Sequence, residues 1–177
     1  MLVVQVAVVV NVSIPISLAQ SNNSTSLSNS LVYENPNLGY TLEYPSEWAK
    51  DESLSFISPM SSALDEAPES IAITTESVPQ NMTLEEYGEP MIEILESQFS
   101  NFSLLESSNA TLSGYPATQI IYTYNMDGVN LKNLQIWTLA NNMAYVITYG
   151  GITKEFEDSL PAAQSLIDSF EIRQTQG

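Results

Sequence analysis

The sequence contains no cysteine and no histidine, and only four residues of lysine and arginine together. Without cysteine, disulfides, thiolate zinc sites, iron–sulfur clusters and cysteine nucleophiles are excluded. Without histidine, the commonest general base near neutral pH, the commonest metal ligand and the centre of a Ser-His-Asp triad are gone. The shortage of cations carries a separate consequence. Against 21 Asp and Glu the net charge is -17, and phosphate backbones or anionic lipid surfaces are held by clustered Lys or Arg. This composition counts against nucleic acid and against direct binding to an anionic membrane surface. The acidity suits attraction to cations or to a basic protein, or simple solubility. Along the chain the acids are scattered, with no long run of one sign.

What is present begins with a leader. The length of 177 residues fits one domain able to bury a core without staples. Residues 1–19, MLVVQVAVVVNVSIPISLA, hold the apolar run Val6–Val10 in an uncharged segment broken by Asn11, Ser13, Pro15 and Ser17. A spanning helix needs about 20 mostly apolar residues. The segment reads as a secretory signal with a small-residue cleavage site at Ser17-Leu18-Ala19, an uncleaved anchor being the alternative. No Lys or Arg precedes the apolar run. Residues 20–30, QSNNSTSLSNS, have too little apolar area to offset ordering and read as a flexible tether. Asn-x-Ser/Thr triplets start at Asn22, Asn23, Asn81, Asn101 and Asn109, with another at Asn11 in the leader. They are expected glycosylation sites on a secreted surface, or a product of Ser/Asn-rich composition. A cysteine-free, sequon-rich secreted chain suits a prokaryotic, especially archaeal, cell surface.

From residue 31 the pattern alternates with period two. Strands are expected at 31–34, 40–44, 54–58, 71–78, 103–112, 117–125, 130–140 and 143–149, with a turn at Asn35-Pro36-Asn37-Leu38-Gly39. Met126-Asp127-Gly128 and Asn141-Asn142 supply tight hairpin turns. Pro45 stops one strand, and Ser46 is placed to cap a short helical turn that carries Trp48 back onto the sheet. Thr83-Leu84-Glu85-Glu86 has capping-box spacing, and a stripe of Tyr87, Met91, Ile94, Leu95 and Gln98 or Phe99 predicts a helix. Pro90 should kink that helix or delay its start. A closing helix bears Leu160, Ala163, Leu166, Ile167 and Phe170, with Pro161 tolerable only in its first turn. Hairpins with one helix inserted and another appended imply an α+β fold, an antiparallel sheet covered by helices.

Candidate chemistry rests on carboxylates, hydroxyls and aromatics. Asp65, Glu66 and Glu69 are the calcium candidates, and Glu85, Glu86 and Glu89 form a second acidic group, yet neither has the alternating oxygen spacing of a calcium loop. Glu43, Glu47, Asp51 and Glu52 are the set from which a carboxylate-only hydrolase would draw its pair. Ser46 and Lys50 have Ser-Lys spacing, which abundant serine makes common. Tyr40, Tyr44 and Trp48 read as core rather than a stacking site. Tyr122, Tyr124, Tyr145 and Tyr149 alternate on neighbouring strands; they form core if covered, or a docking patch if bare.

Four motifs together carry a resemblance. YTLEYPSEW at 40–48, LSGYPATQIIYTY at 112–124, NMAYVITYGG at 142–151 and SLIDSFEI at 165–172 occur in the order found in the PsbP-like family. The signature positions are Tyr44, Pro45, Trp48, Gly114, Pro116, Tyr145 and Phe170. The resemblance spans residues 31–172 and leaves 173–177 as a tail. It implies an αβα sandwich with a central antiparallel sheet, shared with the Ran-binding Mog proteins. It implies no catalytic residues, and the histidine ligands and basic patches of some members have no counterpart among Lys50, Lys132, Lys154 and Arg173. The expected function is a secreted, non-enzymatic binding or assembly module of an extracytoplasmic complex, with a cell-envelope protein as partner and no cofactor. The alternatives are a carboxylate-only hydrolase of cell-surface polymers and a calcium-stabilised surface protein.

Overall fold

The computed structural model describes residues 29–51, 54–60 and 67–173. The leader with Asn11, most of the tether with Asn22 and Asn23, and the tail beyond Arg173 lie outside them, as do Glu52, Asp65 and Glu66. Three two-residue turns organise the long strands. Asp127 and Gly128 have φ of 52° and 86°, Asn141 and Asn142 of 54° and 59°, and Ser113 and Gly114 of 53° and 78°. Positive φ at both central positions matches the twist of antiparallel strands. The Asp-Gly and Asn-Asn turns fall where the sequence placed them; Ser113-Gly114 carried the same signal and was not read. These turns join β6 (Ser100–Leu112), β7 (Tyr115–Met126), β8 (Val129–Ala140) and β9 (Met143–Ile152) into a meander. β9 pairs along its length with β5 (Ser70–Ser77), which pairs with β4 (Ser55–Ile57), itself paired with β3 (Ala49–Lys50). The seven-stranded order is β3-β4-β5-β9-β8-β7-β6.

The strands do not form a single sheet: β1 (Ser30–Asn35), β2 (Tyr40–Pro45) and β10 (Glu171–Ile172) form a separate three-stranded sheet. β10 clips onto Thr41 and Tyr40, and the Arg173 N–H donates to the Gly39 carbonyl at 2.7 Å. The chain after Pro45 makes a turn, with Trp48 N–H on the Pro45 carbonyl at 3.0 Å, and enters β3 without the helical turn expected at Ser46. The closing helix, α2 (Leu160–Asp168), keeps Pro161 in its first turn but ends before Phe170. Phe170 still enters the core from the following turn, 1% exposed.

Why three layers form follows from the burial of the middle strands. β9 is buried at nearly every position, so side chains on both of its faces need cover. On one face Leu134, Ile136, Tyr145, Ile147 and Tyr149 pack with Tyr40 and Leu42 of β2 and with Ala163 and Leu166 of α2. On the other, Trp137, Ala144 and Val146 pack with Tyr87, Met91 and Leu95 of α1 (Leu84–Gln98). The sheet therefore lies between a helix and a mixed layer of three short strands and a helix.

α1 forms for the reasons read from its sequence. The Glu86 N–H donates to the Thr83 hydroxyl at 3.1 Å and the Thr83 N–H donates to Glu86 Oε2 at 2.9 Å, the reciprocal capping box. The Thr83 N–H, and after it the Thr83 hydroxyl donating to Oε2 at 3.1 Å, hold the Glu86 carboxyl below its ordinary range. Pro90 sits inside the helix, removing one backbone bond to the preceding turn, yet the helix starts at Leu84 rather than after it. Gly88 lets α1 approach the sheet: a Cβ there would stand 2.6 Å from Trp137 Cζ2. Glycine to alanine inside an open helix gains roughly 0.5–1 kcal/mol, whereas overpacking a filled contact costs about 1–3 kcal/mol. We expect Gly88→Ala to lower stability in urea unfolding. A gain would show that α1 stands off the indole.

Candidate functional site

The four tyrosines do not form a docking patch. Tyr122, Tyr124, Tyr145 and Tyr149 are all buried, at most 3% exposed, and they divide between the two faces of the sheet. Tyr122 lies opposite Asn133, and Asn133 opposite Gly150. Directly opposed residues share a face, so Tyr149, one residue earlier on β9, points the other way. Tyr122 and Tyr124 accordingly lie under α1, with Phe99 stacked on Tyr124 at a centroid distance of 4.1 Å. Tyr145 and Tyr149 face β2 and α2, where Tyr145 meets Tyr40 and Phe170 edge-on. The opening aromatics are scaffold too. Tyr40 and Trp48 are buried, and Tyr44 is half-buried against Phe56 at 4.7 Å.

Four buried tyrosine hydroxyls are used locally, whereas that of Tyr40 has no hydrogen-bond partner. Tyr149 donates to the Phe156 carbonyl at 2.6 Å, Tyr145 to the Leu38 carbonyl at 3.2 Å and Tyr87 to Glu76 Oε1 at 2.6 Å. Tyr122 accepts from Asn133 Nδ2 at 3.0 Å. Burial raises the pKa of Tyr40, Tyr87, Tyr122 and Tyr149 far above the ordinary phenol value, and raises those of Tyr124 and Tyr145 as well. A pKa raised by folding means the neutral phenol is the form the fold stabilises. That stability is fully present below the unfolded phenol pKa of about 10 and is lost as pH climbs above it. Absorbance at 295 nm should show the buried phenols ionising together with loss of near-UV circular dichroism. Their full ionisation in a still-folded protein would place them at the surface.

Among the carboxylates, Glu69 has the most elaborate setting. It is buried at 6% exposure, and its Oε2 accepts from the Ser58 hydroxyl at 2.7 Å and the Ser159 hydroxyl at 2.9 Å. Its own N–H donates to Ser58 Oγ at 3.0 Å. Gly151 makes room: a Cβ there would meet Glu69 Cγ at 2.8 Å. Glu69 was named among the calcium candidates with a solvated face as the other reading; its side chain is turned inward, joining the end of β4 to the residue that opens α2. Hydrogen bonds to a charged acceptor contribute about 1.5–3 kcal/mol each. Glu69→Ala should lower the urea midpoint by a loss of that order, while Glu69→Gln, which keeps an oxygen acceptor, should lose less. Equal stabilities would mean that the two serines do not depend on it.

The remaining candidates each have local partners. Glu43 accepts from Ser30 Oγ at 2.7 Å, and Asp51 Oδ1 accepts from the Ser55 N–H at 3.1 Å. Glu47 lies in the turn after Pro45, near Ser46 Oγ at 3.5 Å, and Lys50 Nζ donates to the Asp51 carbonyl at 3.2 Å and lies 4.9 Å from the Tyr33 ring centroid. Ser46 and Lys50 thus turn to different partners. Lys132 pairs with Glu157, Lys154 with Glu155 and Arg173 with Glu34. Among the described residues no group of three or more acidic side chains is arranged to hold a metal. The buried Ser70 and Thr148 hydroxyls have no hydrogen-bond partner, and no imidazole exists to activate them.

Two surface features extend what was read from the sequence. Glu93 and Glu96 join Glu85, Glu86 and Glu89 as exposed acids on α1, so helical periodicity enlarges the acidic group at its start. A groove of about 440 Å³ lies where the Ser113-Gly114 turn meets the end of α2 and β10, with Thr111, Asp168, Phe170 and Glu171 in its walls. Ser113 Oγ accepts the Ile172 N–H at 2.7 Å at that junction.

Comparison with solved structures finds the same fold in a PsbP protein and a Mog protein. The solution structure of cyanobacterial PsbP from Synechocystis superposes with a TM-score of 0.59 at 12% identity, covering 86% of this chain and 98% of that one. The Ran-binding protein Mog1p of Saccharomyces cerevisiae gives 0.58 at 12%, covering 83% and 97%. A Pseudomonas aeruginosa protein of unknown function gives 0.64 at 18%, covering 84% and 100%. At these identities the likeness is one of fold. The DcrB family model matches residues 40–169, and the chain belongs to the DcrB family. No curated protein matches it.

Proposed function

We propose that this DcrB-family protein is a secreted, non-catalytic binding or assembly module that works in an extracytoplasmic complex with a cell-envelope protein. The observation that carries the reading is how reactive side chains are spent. The tyrosines that could stack a ligand fill the two cores, and the best-surrounded carboxylate, Glu69, ties β4 to α2 through two serines. What the surface offers is shape and negative charge, which set specificity and encounter rate with a basic partner. Two more observations support the reading: the fold is that of a protein named for binding Ran and of a PsbP protein, and the chain opens with a leader-like segment followed by a Ser/Asn-rich tether.

The test is fractionation of the cells that make the protein, followed by size analysis of a gently solubilised envelope extract. We expect the full chain outside the cytoplasm and in a particle larger than its own 19.5 kDa, and expect no turnover of cell-surface polymers by the pure chain. A cytoplasmic monomer would contradict the proposal. So would polymer hydrolysis lost on Glu43→Gln or Asp51→Asn, which would favour the carboxylate hydrolase. Calcium stabilisation is read from thermal melts with and without chelator, where a shift requires binding to the folded chain.

A further inference from the structure

We infer that Asn81, Asn101 and Asn109 carry N-linked glycans that cover the α1 side of the molecule and its long open sheet edge. The inference rests on the extracytoplasmic reading above and adds the sites and the face. All three asparagines are exposed, and their placement is not that of a random scatter. Asn81 precedes α1 by three residues, and Asn101 follows its last residue by three, in the bulge that opens β6. Asn109 lies opposite Thr118, which lies opposite Trp137, so it shares the α1 face of the sheet. The described residues of the other outer layer include Asn29, Asn35 and Asn37, and none of them is followed at the second position by Ser or Thr. Asparagine abundance alone therefore does not explain why the sequons among the described residues gather on one side.

The edge gives the glycans something to do. β6 is the outer strand of the seven-stranded sheet and runs for 13 residues, whereas the opposite edge, β3, has two. Long open edges template pairing with other chains. β6 exposes Leu104 and Leu105 at 41% and 57%, and its register breaks twice, between Ser100 and Ser103 and between Leu104 and Glu106. Bulges blunt an edge. The stretch from Glu106 to Leu112 is regularly paired on its inner side only, and Asn109 stands in the middle of it. A bulky solubilising sugar there would block an incoming strand. Asn81 and Asn101 hold φ of 66° and 52°, a conformation asparagine tolerates, and this presents each side chain at a bend.

The chemistry is a group transfer from a lipid phosphate-linked oligosaccharide. The asparagine Nδ2 forms a bond to C1 of the first sugar, the bond from C1 to the phosphate oxygen breaks, the lipid phosphate leaves with the electron pair, and the amide loses one proton. None of the three asparagines lines the groove beside α2.

The test uses the protein isolated from its own cells, with peptide mapping by mass spectrometry. Hexose-containing mass is expected on the peptides of Asn81, Asn101 and Asn109. Ser103→Ala and Thr111→Ala should each remove one glycan without altering the asparagine. Asn81→Asp should remove the third, and Thr83→Ser, which preserves both sequon and helix cap, should retain it. The variant lacking the sugars at 101 and 109 should self-associate in sedimentation at concentrations where the glycosylated chain is monomeric. Unmodified asparagines on a chain found outside the cytoplasm would overturn the inference and leave the extracytoplasmic reading standing. A cytoplasmic, unmodified chain would overturn both. Glycans present, with the sugar-free variant equally monomeric, would overturn their role at the edge.

Discussion

The structure depends on covering β8 and β9 from both sides. An antiparallel pair with one wet face needs a single partner layer; a pair whose side chains are apolar in both directions needs two. Trp137 and Val146 demand α1, while Leu134, Ile136 and Ile147 demand the mixed layer of β2 and α2. Each outer layer then requires its own fastening. α1 is fastened by a close approach at Gly88 and a capping box at Thr83. α2 is fastened by Ser159 on Glu69 and by the Phe170 turn leading into β10.

This division of labour explains where the chain's chemical groups ended up. A protein without imidazole or thiol has only hydroxyls, carboxylates and phenols with which to react or bind, and here the best placed of them are structural. Phenols bury large apolar area, and those of Tyr87, Tyr122, Tyr145 and Tyr149 also find a hydrogen-bond partner. The inward carboxylate of Glu69, which accepts from two hydroxyls, adds a polar tie to the apolar contact between two layers. The four cations are all engaged with acids, carbonyls or rings, so most of the acidity faces solvent uncompensated.

The long elements were legible in the sequence, because each has its own local code: Asp-Gly and Asn-Asn for two hairpins, Thr-x-x-Glu for α1, and Pro161 for the start of α2. What was not legible came from pairing between distant segments. β3 and β10 are two residues each, too short for any period to show, and β10 exists because Ile172 meets Tyr40. The separation of β1 and β2 into their own sheet is likewise a tertiary choice. For the site, the decisive quantity was register: the faces of Tyr122 and Tyr149 follow from the line Tyr122–Asn133–Gly150, which no single strand reveals. The inward setting of Glu69 was not legible because the residues that hold it, Ser58 and Ser159, lie far from each other in the chain. The acidic face of α1 differs from these cases, since helical spacing alone would have found it.

A scaffold whose centre is closed on both faces offers its partners only the outside of its outer layers, and this suits a protein that acts by contact. Native-state hydrogen exchange read by mass spectrometry tests that closure most directly. The account predicts that amides of β8 and β9 open only with global unfolding, while β1 and the outer side of β6 exchange at far lower cost. Rapid exchange along β9, under conditions where α1 and α2 remain protected, would contradict it.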